Sequence, residues 1–381
     1  MKKILLFGAA LMMAAVSMAQ TPTVSASSVT FKYCQTTYGS AERQVGKDKF
    51  PLTWNGVTFT TYTTEVITLQ NARGCDSILT LTVAPLEGAV LYPFSVASGK
   101  QVYFAKGNLQ YCAAPASGPT THTTRDGSNT KGRWRIAEHA WDHIGTGGSY
   151  STVPLSTGSG TSANNSRSST YNGWIDMFKY GTSGYAGLMP YTNSYYSDRS
   201  DVPDTNIGKN ISQTNVDWGW YNAISNGGNK TGVWFMLTEN EWYYLMMQRP
   251  NYQYRRATGT VNGIQGTFIL PDSWSTPSGL TFNANSSNNS YTAEQWALME
   301  QRGAVFLPCT GYTYNGQNYV WGDYNSSNSC YYWTSTYYSN NYYWRRDDLT
   351  GGQLSGKGSG SNLQYGNSYY QAAVRLVRYS E

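Results

Sequence analysis

Charged residues are scarce in this sequence. Lys, Arg, Asp and Glu make up 13% of 381 residues, about half the usual share, and the formal net charge is only +5. No basic stripe gathers the cations into one face, which excludes the electrostatic footprint of a nucleic-acid binder. Beyond the first twenty residues no run approaches the eighteen or so unbroken apolar residues of a spanning helix, so no transmembrane segment is expected. Two catalytic signatures are missing as well: no HExxH occurs, and "GTSGY" (181–185) stops short of a G-x-S-x-G elbow. Aromatic residues, by contrast, reach 15%, with 33 Tyr beside 39 Gly. Low charge with many rings is the reverse of a disordered composition.

Lys2 and Lys3, the apolar run "ILLFGAALMMAAV" and the small residues of "SMAQ" read as a secretory signal peptide over 1–20. The chain is therefore expected to be exported, to the cell surface or the extracellular space, where disulfides form. Five Cys leave at least one thiol unpaired within the chain. Cys34 with Cys75 is the expected bridge because both fall in the first small domain; a loop of that length contributes roughly 3–4 kcal/mol. The pairing of Cys112, Cys309 and Cys330 stays open.

Residues 21–86 read as strands. "VTFKY" (29–33), "VTFTTY" (57–62) and "CDSILTLTV" (75–83) alternate apolar and polar, and "WNG" and "NARG" break the runs, which predicts a small antiparallel β-sandwich. The "GCDSILTLTV" ending resembles small spacer domains of exported Bacteroidetes proteins. A linker over 87–93 follows, then a second domain over 94–381.

In that second domain "WRIAEHAWDHIG" (134–145) has Ile136, Ala140 and Ile144 at helical spacing. "TENEWYYLMMQR" (238–249) and "TAEQWALMEQRG" (292–303) each begin as capping boxes, Thr238 with Glu241 and Thr292 with Gln295. Short strand-like pieces follow, "AVFLP", "YYWTST" and "AAVRLVR". The ordered set "FSVASGKQVYFAKGNLQY", "GWIDMFKYGTSGY", "DWGWYNAISNGG", "WFMLTENEWYYL", "AVFLPCTGY", "YYWTSTYYS" and "VRLVR" resembles the C-type-lectin fold. Within it, the resemblance is to the branch of formylglycine-generating-enzyme-like and FISUMP (major paralogous) domains. That implies an α+β class, with two main helices, short antiparallel strands and long loops behind the small all-β sandwich. The same branch contains variable proteins of diversity-generating retroelements, whose rewritten residues form an exposed binding face.

His139 and His143 lie four apart with Glu138 and Asp142 beside them, but Trp141 and the apolar stripe favour packing over a metal site. "GKGSG" (356–360) lacks the strand and helix of a phosphate cradle. Formylglycine-generating enzymes work through a reactive Cys pair; Cys309 and Cys330 sit in unlike surroundings, so that activity does not carry over. The calcium-chelating loop of sugar-binding lectins is also missing. The sequence thus predicts no enzyme, no cofactor and no metal.

What remains is "CYYWTSTYYSNNYYWRRDD" (330–348). Tyr supplies a rigid ring plus a hydroxyl, and Asn and Ser supply adaptable hydrogen bonds, as recognition surfaces require. Trp333, Val374 and Leu376 read as core. The candidate ligand-binding residues are Tyr314, Asn315, Asn318, Tyr324, Asn325, Asn328, Tyr337, Tyr338, Asn340, Asn341, Tyr342, Trp344, Arg346, Asp348, Tyr365, Asn367, Tyr369 and Tyr370. "YYSNNY" (337–342) also fits the residue alphabet that adenine-directed rewriting of Asn codons produces. The expected function is non-enzymatic binding of a protein or glycan on another cell, host or phage surface. A glycan-binding adhesin of fixed specificity is the alternative.

Overall fold

The computed structural model describes residues 35–142, 169–190, 210–309, 312–314, 317–319, 329–338, 341–348, 363–366 and 371–380. Strands lying between 312 and 331 and between 337 and 371 are described by backbone and register alone. The protein is mostly β, 39% strand and 13% helix, arranged as a β-solenoid of about six turns with little helix. This overturns the expected α+β, C-type-lectin-like class. The two capped helices exist, but each spans only nine residues, and most of the remaining regular structure is short paired strand.

The first sheet joins β1 (Thr37–Val45), β5 (Asp76–Pro85) and β4 (Thr63–Gln70) in the order β1-β5-β4. β4 runs antiparallel to β5 but β1 runs parallel to it, so the expected sandwich is only partly antiparallel. A hairpin of β2 (Leu52–Trp54) and β3 (Val57–Phe59) accompanies it. Val45, Phe59, Leu81 and Val83 form one buried cluster. The hairpin turns through Asn55 and Gly56 at φ 50° and 82°, the left-handed pair that matches strand twist.

β6 (Phe94–Ala97) and β7 (Lys100–Phe104) share a sheet with β13 (Trp234–Phe235) and β24 (Val377–Arg378), ordered β13-β24-β7-β6. β8 (Leu109–Cys112) pairs β11 (Arg133–Ile136), and β9 (Thr121–Thr123) pairs β10 (Asn129–Lys131). The helical reading of "WRIAEHAWDHIG" is thereby corrected. Trp134 and Ile136 are buried alternately along β11, and Asn226 brackets Ile136, accepting its N–H at 2.7 Å and donating to its carbonyl at 2.8 Å. Over so few residues apolar spacing fits either period, and the strand pairing wins.

A four-stranded sheet follows, β16 (Asn289–Tyr291), β14 (Arg256–Val261), β15 (Ile264–Ile269) and β17 (Val305–Pro308), in that order. The last sheet has seven strands: β19 (Gln317–Tyr319), β18 (Tyr312–Tyr314), β23 (Gln371–Ala373), β20 (Ser329–Tyr338), β21 (Asn341–Asp348) and β22 (Leu363–Gly366), with β12 (Met177–Lys179) on β23. Among the described strand pairs only β1–β5, β14–β16 and β20–β23 are parallel; the rest of this solenoid pairs antiparallel.

Among the described residues three short α-helices interrupt the strands. α1 (Trp218–Tyr221) is capped by Asp217. In α2 (Glu239–Met247) and α3 (Ala293–Gln301) both expected capping boxes are closed, Thr238 with Glu241 and Thr292 with Gln295. Trp134, Trp218, Trp234, Trp242, Trp296 and Trp333 are all fully buried, so much of the aromatic excess fills the interior and not the surface. Trp134, Phe178, Trp218 and Trp333 belong to one cluster, Phe94, Phe104, Trp242 and Tyr332 to a second, and Phe268, Trp296 and Phe306 to a third.

Candidate functional site

The Tyr- and Asn-rich segment grows out of β20, and the first half of that strand is clamped. Tyr332 belongs to one core cluster and Trp333, its neighbour, to another; successive side chains leave opposite faces of a strand, so both faces here are covered. Tyr332 Oη donates to the Pro308 carbonyl at 2.9 Å, and Trp333 Nε1 to the Phe178 carbonyl at 2.7 Å. Ser335 N–H donates to the Leu237 carbonyl at 2.8 Å, and the Ser335 carbonyl accepts from Ile211 N–H at 2.8 Å. Thr336 Oγ1 accepts from Glu239 N–H, the first residue of α2, at 2.9 Å. Five bonds over Tyr332–Thr336 thus fix the strand before it reaches Tyr337.

Beyond that clamp the register shifts between Trp333 and Tyr337, and the hairpin resumes with Tyr337 opposite Tyr342 and Tyr338 opposite Asn341. Trp344 lies opposite Trp333, Arg346 opposite Tyr331 and Asp348 opposite Ser329; Tyr365 on β22 lies opposite Tyr343. Tyr314 and Asn318 occupy the β18–β19 hairpin of the same sheet. Ten predicted residues therefore share one sheet. The remaining predicted residues, Asn315, Tyr324, Asn325, Asn328, Asn340, Asn367, Tyr369 and Tyr370, lie outside the described residues, as do the signal peptide, residues 29–33, His143 and "GKGSG".

Two of the expected core residues close the frame. Val374 and Leu376 are buried; their carbonyls accept from Leu109 and Ala105 N–H groups, both at 2.9 Å. Between them Arg375 is buried, donating to the Ala105 carbonyl at 3.0 Å and the Phe306 carbonyl at 2.7 Å. Burial lowers its basicity, while Tyr332 and Glu300 oppose the effect.

Elsewhere, His139 pairs with Asp142 at 3.0 Å and stacks on Trp141. Among the described residues no three His, Cys, Asp or Glu side chains gather as a metal would require, and no described helix is long and apolar enough to cross a membrane. Cys112 and Cys309 are buried, and burial pushes the Cys112 thiol up. Cys75 is disulfide-bonded; Cys34, its expected partner, lies outside the described residues.

One concavity was not legible in the sequence. It is lined by residues of β9 and β11 and by the loop after α1, among them His122 and Arg133. "THT" on a three-residue strand carries no motif that would announce it. No family model matches the chain, and comparison with curated proteins and with solved structures finds no match.

Proposed function

We propose that this is an exported, non-enzymatic binding protein that presents the strands following the β20 clamp as a recognition surface for a protein or glycan on another cell, host or phage. The observation that carries this reading is the clamp itself. Tyr332–Ser335 are buried and bonded to four distant segments, at Phe178, Ile211, Leu237 and Pro308, and the same strand continues into Tyr337 and Tyr338. Rings and amides on a fixed frame lose little conformational entropy on binding. The disulfide at Cys75 supports an oxidising destination. The alphabet of 337–342 supports diversification of this surface, which AAC or AAT at the Asn codons beside a near-duplicate repeat and a reverse-transcriptase gene would establish.

The test is a triple substitution, Tyr337→Ala, Tyr338→Ala and Tyr342→Ala. Capture of cells, phage or arrayed glycans that bind the natural chain should be lost with the melting temperature little changed. Unchanged capture, or collapse of the fold, would remove the recognition role from these residues.

A further inference from the structure

His122, at the centre of β9, has both ring nitrogens against oxygen. Nδ1 lies 2.9 Å from the Gly132 carbonyl and Nε2 lies 2.7 Å from Asn222 Oδ1. The Asn222 amide cannot turn round to offer a donor instead. Its Nδ2 already donates to the carbonyls of Ser183 and Trp218, both at 2.9 Å, and the side chain is fully buried. With an oxygen at each ring nitrogen, the imidazole is fixed in orientation. Gly132 makes the arrangement possible: its φ is 86°, and a Cβ there would meet the Tyr111 hydroxyl.

This ring forms part of the wall of a cavity of about 420 Å3, within the roughly 300–1,000 Å3 of small-ligand sites. Arg133 stands in the same wall, its Nη1 held by the Ser117 carbonyl at 3.1 Å. Thr121, Thr123, Ser225 and Asn229 supply hydroxyls and an amide, and Pro119 supplies apolar surface, with the buried Trp134 behind it. No Asp or Glu is among the described lining residues.

We infer that this cavity is a second binding site, separate from the recognition sheet, and that its ligand is an acidic sugar. The Arg133 guanidinium, with no carboxylate among the described lining residues, selects an anion. The hydroxyl and amide lining matches a hydroxyl-rich partner, and the Pro119 ring matches the C–H face of a pyranose.

The test is calorimetric titration of the full chain with galacturonate, galactose and sodium sulfate. Galacturonate should bind at millimolar concentration or below, and galactose about tenfold or more weakly, since a charge-assisted bond separates them. Arg133→Gln should remove that difference. Should that variant misfold, Asn229→Asp provides an independent arm: it places a negative charge on an exposed wall residue whose φ of 50° Asp tolerates. It should weaken galacturonate and leave galactose unchanged. Equal binding of the two sugars, or no binding of either, overturns the inference; sulfate binding as tight as galacturonate reduces the site to an anion hole and overturns the sugar class. The triple Tyr variant of the recognition sheet should bind galacturonate normally, so failure of one site does not entail failure of the other.

Discussion

The indole nitrogen of Trp333 donates to the Phe178 carbonyl oxygen across 2.7 Å, joining residues 155 positions apart. The same ring lies edge-on to Tyr180 at 5.1 Å between centroids. Trp333→Phe removes the donor, leaves a buried oxygen short of its partner and opens a void, which together cost about 2–4 kcal/mol. Urea denaturation should show that loss, and a variant as stable as the natural chain would mean that the strand is held by other contacts.

Asp217 is fully buried at the start of α1. It accepts N–H groups from Met236 at 2.9 Å and from Gln213 and Gly219 at 3.1 Å. Burial nevertheless outweighs these bonds and pushes its carboxyl up to about 7, against roughly 3.9 in an unfolded chain. The folded state then holds a proton that the unfolded state releases. This contribution is fully present below about pH 4 and is lost as pH rises through about 7, on the order of a few kcal/mol. Asp217→Asn should flatten that part of the stability–pH profile, as measured by denaturant midpoints from pH 4 to 8.

Thr238 and Glu241 satisfy each other's backbone donors at the start of α2, and Glu241 also receives Lys100 at 2.5 Å. Thr238→Ala should cost about 1 kcal/mol. Glu241→Ala should cost more, because it also strips Lys100 of its carboxylate at a half-buried site, leaving it only Tyr379 among the partners described. Thr292→Ala at α3 removes a cap with no ion pair on its Gln295, together with the Thr292 contact to Glu294, and should cost about as much as Thr238→Ala. Chemical denaturation of the three variants checks the ranking.

Cys112 and Cys309 are each buried to within about 2% of full exclusion. Both should resist alkylation in the native protein and react only after unfolding, which peptide mass spectrometry can follow. Rapid native labelling at Cys112 would reveal opening of the β8–β11 pair, since Cys112 lies opposite Arg133.

Local features of the sequence translated well into structure. Thr238 with Glu241, Thr292 with Gln295, the alternation of Leu79, Leu81 and Val83, and the core placement of Trp333, Val374 and Leu376 are all settled by neighbours within a few residues or by strong apolar character. The fold class was not legible. Strands such as Trp234–Phe235 and Val377–Arg378 are two residues long, too short to show any period, and they exist because distant partners complete them. The register shift between Trp333 and Tyr337 was hidden for a related reason: it leaves no trace in composition.

Arg375 and Ala105, 270 positions apart, are tied by a hydrogen bond, and β24 lies between β7 and β13. Two of the large clusters therefore stay open until residues 371–378 take their places. A ribosome delivers those residues long after the strands that await them. During synthesis the growing polypeptide can complete its small first sheet and the cluster around Phe268 and Trp296, but a product stopped short of residues 371–378 would leave the other two interiors unfilled.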